Sequence, residues 1–222
     1  MASIVFDLDG TLIDSAPDIR AAVNRMLAEE GCEPLDLPTI VSFIGNGLPK
    51  LVERVIARVG LDEARQAELT AITLAHYSAA ATDLTRPYAG VAETLERLKQ
   101  AGHVLALCTN KPEAPARAIL RDLGMAHFFD GVVGGDTLNV KKPDPAPLLH
   151  IVGHLERADV LYVGDSEVDA ETAQRAGIRF ALFTGGYRKS PVDQIPHQDV
   201  FGDFTELPGL VEAACPLGRA GI

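Results

Sequence analysis

Short apolar runs alternate with helically spaced segments along most of this chain, and that alternation leaves little freedom of fold. Residues 3–7, 103–109, 131–134, 160–164 and 179–183 read as strands, with a weaker candidate at 199–202. Between them, residues 90–101, 112–124, 145–155 and 166–176 carry apolar side chains at helical spacing. Strand–helix–strand repetition builds right-handed crossovers, and hence a doubly wound, Rossmann-like parallel sheet with helices on both faces. In such α/β sheets ligands bind beyond the carboxyl ends of the strands. Here three of those ends carry Asp7, Thr109 and Asp165.

Residues 16–82 interrupt the alternation. They contain helical stretches at 16–30, 38–43, 48–60 and 63–82 and no convincing strand. Leu51, Val52, Val55, Ile56 and Val59 form one apolar face there. The expected organisation is a core made of residues 1–14 and 85–222, with residues 15–84 inserted as a helical cap over the active edge. Asp14-Ser15 and residues 82–88 would be its hinges. The last stretch, residues 215–222, contains Pro and Gly and is expected to fray.

At 222 residues the chain suits one sizeable domain with a smaller insert, and 47% hydrophobic residues supply a core. No apolar run approaches the roughly 18 residues of a membrane span. The N-terminus enters a strand directly, so no secretory leader is expected. Cys32, Cys108 and Cys215 are odd in number and scattered, which fits free thiols in a reducing cytoplasm. A net charge of −11 without a basic cluster argues against nucleic acid or an anionic membrane as partner. Composition leaves the choice between monomer and homodimer open.

The first strand runs into Asp7-Leu8-Asp9-Gly10-Thr11. Strand alternation points Asp7 and Asp9 the same way. At ~4 Å and an effective dielectric of ~20, their repulsion is on the order of 4 kcal/mol. A cation, a shared proton, or a task that needs both acids would offset it. The same residues also suit an ordinary polar turn.

Further candidates stand at equivalent places. Thr109-Asn110 precede a helix, where a hydroxyl and backbone amides can seat an anion or simply cap the helix. Lys141-Lys142-Pro143-Asp144-Pro145 is a stiffened loop that can fix a lysine head, and spacing does not choose between the two lysines. Ser166 and Asp169 have capping-box spacing, as do Ser15 and Asp18. Asp165 lies outside its box. A carboxylate there suits an oxygen-ligand Mg²⁺ site shared with Asp7 and Asp9, and the cation would relieve their repulsion.

Together, Asp7-Leu8-Asp9-Gly10-Thr11, Thr109-Asn110, Lys142-Pro143 and Gly164-Asp165-Ser166 with Asp169 resemble the four ordered motifs of the haloacid dehalogenase (HAD) superfamily. Asp14-Ser15-Ala16-Pro17-Asp18, Phe43-Ile44-Gly45-Asn46-Gly47 and Pro87-Tyr88 with Gly90-Val91 are similar to the phosphoglycolate phosphatase family in particular. The resemblance implies that Asp7 is a nucleophile forming an aspartyl-phosphate and that Asp9 is the general acid and base. It implies Mg²⁺ on the Asp7 side chain, the Asp9 carbonyl and Asp165. Lys142, placed before proline, would be the active lysine, Thr109 and Asn110 would contact the phosphoryl group, and Asp169 would orient Lys142 or a metal-bound water. An acid at position 9 suits an alkoxide leaving group, which needs a proton, as a halide does not.

The matching cap loop, Gly45-Asn46-Gly47 with Lys50 and possible help from Arg54, can present amides and positive charge to a substrate carboxylate, or can be a plain helix–helix turn. The implied reaction is Mg²⁺-dependent hydrolysis of 2-phosphoglycolate, a small phosphomonoester. The rivals are another helical-cap member of the superfamily (a pyrophosphatase, a sugar-phosphate phosphatase or β-phosphoglucomutase) and a non-catalytic binder of phospho-ligands.

Overall fold

The computed structural model describes residues 1–155 and 159–214, so the expected fraying at 215–222, with Cys215, lies outside the described residues. Six parallel strands form the main sheet: β1 (Ser3–Phe6), β4 (Val104–Cys108), β5 (Gly131–Val133), β6 (Val160–Gly164), β7 (Arg179–Phe183) and β8 (Asp199–Phe201). Their spatial order is β5-β4-β1-β6-β7-β8. The chain builds outward from β1 through β4 and β5, then returns to β6 and builds the other way. The ends of β1, β4 and β6 therefore flank one crevice at the reversal.

Side-chain alternation gives the sheet two dry faces. Ile4, Phe6, Leu105, Leu107, Leu161 and Val163 belong to one core, shared with α5 (Val91–Gln100), α6 (Glu113–Asp122) and α9 (Leu207–Ala214). Val5, Ala106, Cys108, Tyr162, Phe180 and Leu182 face the other, beneath α7 (Ala146–His154) and α8 (Glu167–Ala176). Burial of these strands on both sides explains their near-continuous apolar sequence.

The stretch after β1 folds into α1 (Ala16–Glu29), α2 (Leu37–Phe43), α3 (Leu48–Val59) and α4 (Gln66–Ala79). Helix α1 packs on α2 and α4, and α3 packs on α4. Leu51, Val52, Val55 and Ile56 turn inward from α3, as their spacing predicts. A two-stranded antiparallel ribbon, β2 (Ile13–Asp14) with β3 (Arg86–Pro87), joins the points where the chain leaves and re-enters the sheet region. Strands of two residues are too short to register as a pattern, so this ribbon was invisible in the sequence. It coincides with the expected hinges.

Candidate active site

The loop after β1 is shaped by one carbonyl. The amides of Thr11, Leu12 and Ile13 all donate to Leu8 O, and Gly10, at φ +87°, makes the turn. A Cβ at Gly10 would collide with Asp165, and one at Gly186 would collide with both Gly10 and Asp165. Bare backbone at these two glycines is what lets the ends of β1, β6 and β7 crowd around one carboxylate.

Asp7, Asp165 and Asp169 each bring a carboxylate oxygen within 4.8 Å of the others, all buried. Asp165 Oδ1 accepts from Thr11 Oγ1 at 2.7 Å and Oδ2 from the Tyr187 amide at 2.6 Å. Burial, and then the Asp169 and Asp7 charges, push the Asp165 pKa well above the usual carboxylate range. Burial likewise pushes Asp7 up to about 6, with the Lys142 ammonium pulling the other way.

Lys142 Nζ lies 2.8 Å from Asp7 Oδ1. Asp7 Oδ1 is nonetheless a buried oxygen without a directed hydrogen bond, so this is a charge contact. Lys142 directs its hydrogen bonds to Asp169 Oδ1 at 2.7 Å and Tyr162 Oη at 2.9 Å. Asp169 does two jobs. Its Oδ1 takes Lys142 and the Tyr162 hydroxyl, while Oδ2 accepts the Ser166 N–H and Oγ–H and starts α8. Burial works to raise Asp169, but Lys142 and these donors hold its pKa below the usual range, so it stays ionised. Lys142 is 3% exposed, and Asp169 and Asp7 keep its pKa raised despite burial. Lys141, by contrast, is exposed and reaches out to Asn46 O at 3.0 Å, so of the two lysines it is Lys142 that lies beside Asp7.

Asp9 and Asp7 line one cavity, but the Asp9 carboxylate is not part of the cluster that Asp7, Asp165 and Asp169 form. Strand β1 stops at Phe6, and the Asp9 side chain turns to its own cation: Oδ1 accepts from Lys111 Nζ at 2.8 Å and Ser15 Oγ at 2.5 Å. Lys111 also meets Tyr77 Oη of α4 at 2.9 Å. Burial opposes the Lys111 charge, but Asp9 and Tyr77 hold its pKa above the ordinary lysine value. The expected carboxylate repulsion is thus divided between two lysines. The Asp9 side chain stands apart from the carboxylate cluster, leaving its carbonyl as the group it would offer a metal.

The other expected site residues fall into place unevenly. Thr109 Oγ1 accepts the Lys111 amide at 3.2 Å, which leaves its hydroxyl proton to donate. The Asn110 amide group donates to Gly45 O at 3.1 Å and Lys142 O at 3.0 Å, so any gift to a phosphoryl group falls to its backbone. Gly45 and Gly47 line the cavity between insert and sheet, with Ile19, Leu51 and Tyr77 opposite Asp7, Asp9 and Thr109. Lys50 does not line it: that lysine is half exposed and ion-paired with Glu53 in its own helix. Arg54 is spent on Phe43 O and Asn46 Oδ1, bracing the loop. Ser15 makes no cap for α1, because its hydroxyl has gone to Asp9. Asp18, read as its capping partner, instead accepts from the Leu84 and Thr85 amides and the Thr85 hydroxyl in the segment that follows α4.

Lys111, Tyr77, Tyr162 and Tyr187 were missed in the sequence. A tyrosine in the middle of a buried strand such as Val160–Gly164 needs a polar partner for its hydroxyl, which is the signal that Tyr162 offered.

A divalent cation fits this donor set. Four carboxylates, Asp7, Asp9, Asp165 and Asp169, face two ammoniums, Lys111 and Lys142. The ligands available are hard oxygens, and Asp165 has no cation against it among the described hydrogen bonds and ion pairs.

The sequence pattern of haloacid dehalogenase-like hydrolases matches residues 4–183. Relatives named phosphoglycolate phosphatase include one from Cereibacter sphaeroides (strain ATCC 17025), 54% identical over 95% of this chain and 98% of its own. Another, from Rhodobacter capsulatus, is 43% identical over 95% and 96%. The crystal structure of a predicted phosphoglycolate phosphatase from Haemophilus somnus superposes with a TM-score of 0.89 at 32% identity, covering 94% of this chain and 96% of that one. The chain is a phosphoric monoester hydrolase fold of the haloacid dehalogenase-like hydrolase family and belongs among its phosphoglycolate phosphatases.

Proposed function

We propose that this protein hydrolyses 2-phosphoglycolate to glycolate and phosphate through an aspartyl-phosphate on Asp7, with Mg²⁺ as its metal. The observation that carries the reading is that two aspartates lining one cavity each meet their own lysine, Asp7 with Lys142 and Asp9 with Lys111. A binding module has no use for two acids each set against its own cation.

In this reading Asp7, Asp165 and the Asp9 carbonyl hold the metal. When bound, it neutralises phosphoryl charge, which is the main electrostatic need of such a transfer. The Asp7 carboxylate attacks phosphorus, and the bond from phosphorus to the ester oxygen breaks. Asp9 gives the departing alkoxide its proton, then removes one from the water that attacks the aspartyl-phosphate and frees Asp7. Lys142 stays protonated beside Asp7 and balances charge on the transferring group, with Thr109 Oγ1 and the Asn110 backbone N–H as donors. Asp169 and Tyr162 fix where the Lys142 head sits. Residues 15–84 act as the cap and residues 1–14 and 85–222 as the core, with Gly45 and Gly47 closing over the substrate.

The cavity, about 80 Å³ and open on one side, sets the apolar side chains Ile19, Ile44, Leu48 and Leu51 beside Asp7 and Asp9. A reducing, cytoplasmic setting accords with Cys32 and Cys108 as free thiols, and no helix among the described residues is long and apolar enough to cross a membrane. The test is phosphate release across a panel of small phosphomonoesters with Mg²⁺. Phosphoglycolate should lead, and activity should vanish with EDTA and in Asp7→Asn. Activity that survives Asp7→Asn would sink the covalent route.

A further inference from the structure

The substrate's own stereochemistry restricts where its carboxylate can be read. In 2-phosphoglycolate the carboxyl carbon is two bonds from the ester oxygen, so the carboxylate oxygens lie roughly 3 Å from that oxygen on ordinary bond lengths. The ester oxygen must in turn sit within hydrogen-bond reach, about 2.6–3.2 Å, of the acid that protonates it. Any group that binds the carboxylate therefore lines the same cavity as Asp9. Lys50, exposed on α3 and paired with Glu53, does not meet that condition.

Lys111 meets it. Its ammonium is 2.8 Å from Asp9 Oδ1, it is 9% exposed, and it is the sole lysine or arginine among the described residues lining the cavity. Of its three N–H donors, one goes to Asp9 and one to Tyr77 Oη, and the described hydrogen bonds leave the third unspent. Ile19, Ile44, Leu48, Leu51 and Leu74 make up much of the remaining wall. An ionic contact made against such a wall is stronger than one made in water, and an analogue without the carboxylate would leave the lysine's donor unmet. The Tyr77 ring lies 4.7 Å under the ammonium and its hydroxyl tethers it, so a residue of the helical insert sets the lysine's position.

Resting on the proposed reaction, we infer that Lys111, tethered by Tyr77, is the residue that recognises the substrate carboxylate and so determines specificity. The measurement is the ratio of kcat/KM for 2-phosphoglycolate to that for ethyl phosphate, which has the same two-carbon skeleton and no carboxylate. The wild-type ratio should be large. In Lys111→Met it should fall by about 100-fold, the scale of one lost charge-assisted contact. Lys111→Arg should recover part of the preference, and Tyr77→Phe should lower it by about tenfold. Both substrates need Asp9, so a ratio that stays constant while both activities fall would show that Lys111 serves Asp9 alone, and would overturn the inference. A wild-type ratio near one would overturn the phosphoglycolate reading together with this one. If Lys111→Met does not fold, the Tyr77→Phe ratio decides: a fall supports the inference, and an unmoved ratio overturns it.

Discussion

Lys142 Nζ sits 2.8 Å from Asp7 Oδ1, yet it directs hydrogen bonds elsewhere, to Asp169 Oδ1 and Tyr162 Oη. The lysine is thus anchored from behind and faces the nucleophile as a charge. That arrangement suits a residue that must meet phosphoryl oxygens without being held too tightly by the attacking carboxylate. Burial of the pair strengthens the contact, since the two side chains are only 2% and 12% exposed.

The anchor can be tested at Tyr162. Tyr162→Phe keeps the ring in its core but removes the hydroxyl that accepts from Lys142 and donates to Asp169. One buried donor on Lys142 is then unmet, at a cost of about 1–3 kcal/mol. For a chain of this size that corresponds to a Tm lower by roughly 2–10 °C. Because the substrate does not touch Tyr162 in this reading, kcat should fall about tenfold with KM little moved. A large change in KM with kcat preserved would contradict the anchoring role.

Ser15 offers a second test, this time of Asp9. Its hydroxyl donates to the same Asp9 oxygen that Lys111 holds. Ser15→Ala frees one side of that carboxylate and should slow hydrolysis of alkyl phosphates by about tenfold, on the scale of one lost hydrogen bond. The initial burst of p-nitrophenol from p-nitrophenyl phosphate should fall much less, because that leaving group needs little help from a proton. Equal losses in both assays would mean that Ser15 acts on the fold and not on the acid.

Much of this was legible in the sequence because it depends on local pattern. Strands buried on both faces read as apolar runs, and the residues that follow β1, β4 and β6 are necessarily neighbours once the sheet is parallel. What escaped was the choice of partner across the chain. Asp9 and Lys111 are separated by 102 positions and meet because β4, which Lys111 follows, pairs with β1, a choice of neighbour that no spacing rule encodes. Strand alternation does not reveal that the Asp9 carboxylate turns to Lys111, because β1 ends one residue before Asp7. Ser15 and Asp18 matched a capping box in sequence, but the acid at position 9 and the bare amides at positions 84 and 85 were stronger partners for them.

Asp18 provides the third prediction. It is buried, and its carboxylate takes three donors from Leu84 and Thr85, tying the start of α1 to the segment that returns from α4. Asp18→Ala strands two amides and a hydroxyl. The expected loss is about 2–4 kcal/mol, given one to three per unmet buried group with partial relief by water. Thermal unfolding should therefore begin at least several degrees lower. Asp18→Asn retains acceptor capacity on one oxygen and should recover part of the loss. If Asp18→Ala unfolds like wild type, the hinge is not held by this residue.

The last prediction concerns protons and metal together. Asp7 is raised from 3.8 to about 6 and Asp165 well above its ordinary value, so the folded protein without metal binds more protons than the unfolded chain between about pH 4 and 6. A raised carboxylate pKa means stability falls as pH rises through that window. Metal-free protein should accordingly show a higher Tm near pH 5 than near pH 7. Asp169, held below its ordinary value, works in the opposite sense, but only at lower pH where it titrates. A divalent cation competes with those protons for the same oxygens, so Mg²⁺ should raise Tm more at pH 7 than at pH 5 and should release protons when added near pH 5.5. Asp7→Asn removes one of the two raised acids and should flatten the metal-free profile while weakening the Mg²⁺ effect. A Tm that climbs steadily from pH 5 to 7 without metal, or a Mg²⁺ response that ignores pH, would mean that these carboxylates are not the ones that bind the ion.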